Sequence, residues 1–355
     1  MTAETPYSEI PDELRSAQLA RMFIERDVEN RVHAIFDRVR TDRLRGLPEP
    51  RNILIHGDTG VGKSKILSRY VAKHPEHRTE QGTIKRSVLY VEIKNATNPA
   101  SLAKHMLTRL GITEPAMLKG SAADLSRTVK TQLVAQQVEI VLLDEFSNAI
   151  PENGRAQTSN IATWVKDLSK AKTRTPEHPD GLPGEAIPFV MCGTSKVKRV
   201  VQPAVNDELA TLTPFRIEIP GYRYDTPEER AEFRNFLDLL DDELPFDEFS
   251  RLGQVDDNGL SPLADKIHVA TYGILRLVGY LIVEAGELAI ADGSAHIEEH
   301  HLWASIELQH GILQAALRAD VKEGAIARPV LNPFRAPAAK SKAPGLVKSG
   351  YREVA

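Results

Sequence analysis

Between Asp27 and Arg45 the apolar residues Val28, Val32, Ile35, Phe36 and Val39 recur at intervals of 4, 3, 1 and 3. That is the stripe of an amphipathic helix. Its opposite face is basic, with Arg31, Arg38, Arg40, Arg43 and Arg45, and Leu47-Pro48-Glu49-Pro50 ends it. The apolar run Ile53-Leu54-Ile55 predicts a first strand, and a helix-like stretch follows from Lys65 to Lys73. Val88, Leu89, Tyr90 and Val91 predict a strand over Ser87–Ile93. Helices fit Pro99–Leu110, stopped by Gly111, and Ala122–Gln136. Val138–Leu143 is a continuous apolar run that ends in charge, as a buried parallel strand does. A helix over Ile161–Ala171, a loop of Pro, Gly and charge over Thr173–Gly184, and strands over Ile187–Cys192 and Phe215–Ile219 complete this region. Strands alternating with helices predict an α/β fold, a parallel sheet with helices on both faces.

At about Gly221 the pattern changes. Residues 225–257 carry twelve acidic side chains against Arg230, Arg234 and Arg251, which reads as a solvated helical face. Ile274, Leu277, Val278, Leu281, Ala285 and Leu288 form one helical stripe, and His296–Leu313 gives another helix. A small all-helical domain therefore follows the sheet. From Arg328 the chain has four prolines, six basic residues and Glu353 as its only acid; without a core-forming period it reads as a disordered basic tail. Residues 1–16 read as an extended arm. The expected division is 1–45 (N-terminal arm and helix), 46–220 (α/β domain), 221–327 (helical lid domain) and 328–355 (tail).

Length and composition narrow this picture. A chain of 355 residues suits one large and one smaller domain. A net charge of −4 leaves no global signature for polyanions, so any nucleic-acid contact must come from a local patch. The one cysteine, Cys192, sits in an apolar run. It can form no internal disulfide, reads as a small buried hydrophobe and fits a reducing, cytoplasmic setting. The N-terminus is polar and acidic, so no signal peptide is expected. No apolar stretch reaches the roughly 18 residues of a membrane span.

The chemistry is concentrated in Gly57-Asp58-Thr59-Gly60-Val61-Gly62-Lys63-Ser64, a G-x-x-x-x-G-K-S phosphate loop placed between a predicted strand and a predicted helix. Its glycines let backbone N–H groups wrap a polyphosphate at the positive end of a helix. Lys63 would reach the β- and γ-phosphates of ATP and Ser64 would hold Mg²⁺. About 80 residues on, the apolar strand ends in Asp144-Glu145. Phosphoryl transfer needs such a pair, an aspartate to support the metal and a glutamate to orient the attacking water. The strand over Ile187–Cys192 ends in Gly193-Thr194-Ser195. There the Thr194 hydroxyl, or next Ser195, could sense the γ-phosphate; the same turn could equally cap the following helix. Arg276, opening the main helix of the second domain, is suited to phosphate through its bidentate donors, or is an ordinary solvent-facing arginine.

Gly57–Ser64, Ile140–Glu145, Ile187–Thr194 and Gly273–Arg276, in that order, resemble Walker A, Walker B, sensor 1 and sensor 2 of an AAA+ P-loop ATPase with its helical lid, over about residues 20–315. Within AAA+ proteins the chain looks most like the TniB/TnsC regulators of transposons, including CRISPR-associated ones. The compact core, the strand-Gly-Thr ending and the basic tail with Asn332-Pro333-Phe334 suggest this. The resemblance implies ATP-driven assembly of a homo-oligomer, a ring or helical filament, around double-stranded DNA. It further implies a link between a target-selection protein and the transposase, and disassembly on hydrolysis. Two departures stand out. Asp144-Glu145 is followed by Phe146-Ser147-Asn148, where many members carry a His, and Leu209–Thr213 lacks the arginine that can act in a neighbouring subunit. Arg199 and Arg216 are the substitutes for it.

Lys94, Lys104, Arg109 and Lys119 follow the second predicted strand, where a ring could face its channel and contact phosphates without reading sequence. His296-Ile297-Glu298-Glu299-His300 matches H-x-x-E-H; it lies at a predicted helix start, with both histidines on one face, and is read as exposed polar surface, not as a metal site. Rival readings are a replication-initiator or clamp-loader-like ATPase, a signalling NTPase switch that binds only proteins, and a scaffold that binds ATP but hardly hydrolyses it.

Overall fold

A computed structural model describes residues 6–46, 49–94, 96, 98–152, 154–170, 185–318 and 328–335. The chain divides into an α/β unit, Glu25–Pro220, and a helical unit made of Met1–Ile24 and Gly221–Ala355. Helix α1 (Asp12–Arg21) belongs to the helical unit. The α/β unit runs α2 (Asp27–Leu44), β1 (Ile53–His56), α3 (Lys63–Ala72), the two-residue hairpin strands β2 (His77–Arg78) and β3 (Ile84–Lys85), β4 (Val88–Glu92), α4 (Pro99–Arg109), α5 (Ala122–Ala135), β5 (Ile140–Asp144), α6 (Arg155–Lys170), β6 (Phe189–Gly193), α7 (Pro203–Thr211) and β7 (Phe215–Glu218). The expected loop over 173–184 lies outside the described residues.

The main sheet has five parallel strands in the order β4-β5-β6-β1-β7. Successive residues of a strand face opposite sides. Ile53, Ile55, Ile140, Leu142, Val190 and Cys192 thus pack with Val32, Phe36, Val39, Ile66, Leu67 and Tyr70 of α2 and α3. Leu54, Leu89, Val141, Leu143, Phe189 and Met191 pack on the other side, with α4, α5 and α6. This is the P-loop α/β sheet with helices on both faces that the alternation predicts. The helices begin where the local chemistry favours it. Asn98 with Ser101, and Ser121 with Asp124, form reciprocal capping boxes at α4 and α5.

The helical unit continues with α8 (Pro227–Asp242), α9 (Pro262–Thr271), α10 (Leu275–Asp292) and α11 (Glu299–Arg318). Leu277, Val278, Leu281 and Ala285 of the expected stripe are buried on α10. The acidic run is only partly a solvated face. On α8, Phe233, Phe236, Leu237 and Leu240 point inward, and buried Asp241 accepts hydrogen bonds from Ser250 N and Arg251 N. Those two N–H groups hold a carboxylate whose pKa burial nonetheless pushes up.

Two segments differ from the sequence reading. The expected N-terminal arm holds a short 3-10 turn, Tyr7–Glu9, and the start of α1. Asp247 accepts from Tyr7 N and Ser8 N, and Leu19 is buried in the helical core. The expected disordered tail begins as a packed strap. Phe334 is 6% exposed within that core, Tyr272 Oη donates to Pro329 O, and Asn332 Nδ2 donates to Trp303 O and Glu307 Oε1. Phe334, the partly buried Val330 and a few polar anchors hold an extended segment that has no periodicity to betray it. Residues 336–355 of the tail lie outside the described residues. Among the described residues, no helix is long and apolar enough to cross a membrane.

Removing the Phe334 ring leaves a cavity under the strap. Phe334→Ala is expected to destabilise the helical unit by about 3 kcal/mol, measured by denaturant unfolding; an unchanged midpoint would show that the strap contributes nothing.

Candidate nucleotide site

The phosphate loop leaves β1 and enters α3 at Lys63. Gly62, the residue before α3, has φ 93° and ψ 8°, a left-handed conformation that a side chain disfavours. It turns the chain so that the first N–H groups of α3 are presented at the helix's positive end. The buried Lys63 Nζ donates to Gly57 O (2.9 Å) and Asp58 O (2.8 Å), holding the ammonium across the loop. Ser64 is exposed in the first turn. Arg26, which no motif marks, clamps the loop's far side. Its Nη1 donates to Val61 O and its Nη2 to Pro220 O. His56, the last residue of β1, has its pKa lowered by burial and then by the Lys198 charge.

Asp144 ends β5 and is 2% exposed. Its Oδ1 accepts from Glu145 N (2.9 Å) and its Oδ2 from Tyr90 Oη (2.7 Å). Tyr90 lies opposite Leu142 on the neighbouring strand β4, so the pleat aims the phenol and Asp144 to the same side. Burial, and then Asp144, push the phenol pKa up; the same two causes push up the Cys192 thiol. Sequence reading missed Tyr90, because a tyrosine in an apolar strand looks like core. Two donors leave further lone pairs on a carboxylate. The Asp144 carboxylate and the Ser64 hydroxyl are hard oxygen donors of the kind that could hold Mg²⁺. Glu145 has φ 51° and ψ 33°, a strained conformation for a non-glycine residue.

Between β1 and β5 lies β6, with His56 opposite Gly193 and Leu143 opposite Met191. The carboxyl ends of the three strands therefore align, and Gly57, Thr194 and Asp144 leave the sheet along one edge. Ligands of open α/β sheets bind at that edge. Thr194 stands at the start of a 3-10 turn, Ser195–Val201, yet its side chain does not cap it. Its hydroxyl instead donates to Ser147 Oγ at 3.1 Å. Ser195 is exposed.

The remaining candidates are placed as follows. Arg276 is exposed in the first turn of α10, in the helical unit. Lys94, Lys104, Arg109 and Lys119 are all exposed on the α/β unit. Lys94 pairs with Glu92 at 3.2 Å, and Arg109 Nε donates to Tyr90 O. Arg199 is tied to Pro151 O and Glu152 O, and Arg216 to Thr213 O, Val201 O and Ala210 O, so both are anchored within their own unit.

The H-x-x-E-H match straddles a helix start. His296 precedes α11, and Glu299 pairs with Lys266. His296 and His300 therefore do not share a helix face, contrary to the sequence reading. Asp292, His300 and His301 offer ligand atoms within 4.8 Å of one another. Buried His301, however, accepts Glu298 N–H at Nδ1, so Nε2 bears the proton that bonds Asp292. A metal at Nε2 would require an imidazolate, and the group reads as a helix-start anchor.

The chain's similarities to known proteins agree with this geometry. The family model described as bacterial TniB protein matches residues 21–177. An ORC1-type DNA replication protein of Pyrococcus horikoshii is 22% identical over 268 residues, 73% of this chain and 56% of that protein. The chain thus spans about half the length of the curated relatives it matches. The solved structure of the Aeropyrum pernix ORC2 protein in its ADPNP-ADP complexes superposes with a TM-score of 0.55 at 16% identity, covering 84% of this chain and 74% of that one. The Aeropyrum pernix ORC1 protein in complex with DNA gives 0.51 at 18% identity, covering 86% and 72%. These structural likenesses establish the AAA+ P-loop fold with its helical C-terminal region.

The Tyr90–Asp144 bond is a hydroxyl donated to a buried charge. Tyr90→Phe keeps the ring and removes the donor, and is expected to cost about 2 kcal/mol in denaturant unfolding. A cost near zero would mean that Asp144 is held without it.

Proposed function

We infer that this chain, an AAA+ P-loop protein with TniB-family sequence over residues 21–177, is an ATP-dependent regulator of DNA transposition. The observation that carries the reading is that the matched stretch holds both the phosphate loop and Asp144-Glu145, on strands whose carboxyl ends align. In this reading ATP lies along that edge. The α3 N–H groups and Lys63 would take its phosphates, while Ser64 and Asp144 would hold Mg²⁺. The metal, when bound, neutralises charge on the phosphate oxygens. Glu145 orients the attacking water, Thr194 contacts the reacting end, and Arg276 is assigned to the phosphates by resemblance alone.

Assembly on duplex DNA, as a ring or helical filament, is the step that ATP would drive. Lys94, Lys104, Arg109 and Lys119 are the proposed phosphate contacts, reading charge and not sequence. The assembly would mark a site chosen with a target-selection protein and recruit the transposase, and hydrolysis would take it apart. Arg109 spends its Nε on Tyr90 O, which leaves its terminal nitrogens for such a contact.

A second reading, a replication-initiator ATPase, is favoured by the ORC1-type relative and by the likeness to an ORC protein in complex with DNA. The two separate on one measurement. ATP turnover that rises with transposase supports the first, and turnover indifferent to transposase supports the second.

Lys63→Ala is expected to abolish ATP-dependent assembly on duplex DNA, seen by electron microscopy; intact assembly would remove Lys63 from the phosphate role. Glu145→Gln should bind ATP and accumulate stable complexes, and normal turnover in that variant would exclude Glu145 as the water-orienting group. With about four phosphate contacts, DNA affinity should fall about a hundredfold between about 50 and 200 mM salt. A flat salt dependence would contradict contact through phosphate.

A further inference from the structure

We propose that Ser147 is a positioning residue for ATP hydrolysis, joining the Thr194 hydroxyl to the Glu145 turn so that both keep one geometry. This rests on the hydrolytic reading above and adds to it a residue that no motif marks.

The turn after β5 is pinned at several points. Glu145 opens it in its left-handed conformation, and Asn148 N donates back to Glu145 O. Asn148 Nδ2 donates to Ile93 O just past β4, and Phe146 is fully buried. Ser147, 6% exposed, faces the other neighbour, β6. Its Oγ accepts from Thr194 N at 2.6 Å and from Thr194 Oγ1 at 3.1 Å. One serine oxygen thus takes both polar groups of a threonine on the next strand. Without it the part-buried Thr194 N–H would lose its hydrogen-bond partner.

Gly193 shows that the structure makes room for this contact. A Cβ there would lie 2.2 Å from Ser147 Oγ and 2.9 Å from Ser147 N. Gly193 is not among the positive-φ residues, so its backbone would accept a side chain. What requires glycine is the packing of Ser147 and of Val197, whose Cγ1 would lie 2.8 Å from that Cβ. The hydroxyl of a threonine samples several χ1 wells when free, and the bond to Ser147 selects one. Glu145 and Thr194 leave neighbouring strands, and the Ser147 bonds extend the β5–β6 pairing to the turn that carries Glu145. Small misplacements of such groups cost rate far more than binding.

The test measures kcat and KM for ATP in Ser147→Ala, Thr194→Ala and the double variant, with thermal melting as the check on folding. Ser147→Ala is expected to lower kcat about tenfold while KM stays within about twofold. The loss in the double variant should be less than the product of the two single losses, because Ser147 acts in part through the Thr194 hydroxyl. Ser147→Cys fills nearly the same space with a weak acceptor, and should fall between wild type and alanine; it carries the test if alanine does not fold. Wild-type kcat in Ser147→Ala or Ser147→Cys would overturn the proposal, as would losses that multiply in the double variant. Wild-type kcat in Thr194→Ala would remove the threonine's role and this inference with it. Absence of ATP turnover in the wild-type chain would instead overturn the hydrolytic reading itself.

Discussion

The register of β6 against both of its neighbours decides where the phosphate loop, Thr194 and Asp144 sit relative to one another. β6 pairs with β1 through Gly193 and His56 and with β5 through Met191 and Leu143. A slip of one residue would turn Cys192 and Val190 away from the α2–α3 side and Met191 away from the other. Since both faces are buried, the core holds the register. The same register brings the phosphate loop, Thr194 and Asp144 to one edge. The apolar alternation that stabilises the sheet is therefore also what assembles the chemistry.

Two buried charges stand at that edge, and each is satisfied by the elements around it. Lys63 gives its protons to Gly57 O and Asp58 O, while Asp144 takes one hydrogen bond from its own turn and one from Tyr90 on β4. Leaving either group unpaired in the interior would cost several kcal/mol. Arg26, Tyr90 and Ser147 thus form a supporting set around the P-loop, the aspartate and the threonine. None carries a motif, because each acts through hydrogen bonds to partners far away in sequence.

Polarity and periodicity were uneven guides in the helical unit. The α10 stripe was legible because a long amphipathic helix repeats its apolar positions many times. The acidic stretch over 225–257 hid four inward-facing apolar residues of α8 among its charges. Its Asp241 is buried because two backbone N–H groups from a following loop close on it. Residues 7–21 and 328–335 carry too few apolar positions to show a period. Leu19 in the first and Phe334 in the second is the one buried apolar residue, and one buried position has no spacing to read.

By itself the sequence determined the parallel α/β sheet, the phosphate loop from Gly57 to Ser64 and the Asp144-Glu145 strand end. These depend on local conformation: glycines where backbone must turn, apolar runs where strands are buried, and charge where they end. Only the tertiary structure decided that Thr194 bonds Ser147 instead of capping its own turn, and that His296 and His300 do not share a helix face. It also decided that Arg199 and Arg216 are occupied by backbone carbonyls. For Thr194 and Arg199 the physical reason is the same. A hydrogen bond is settled by which donor and acceptor the packing of distant segments brings within about 3 Å, and no local pattern encodes that distance.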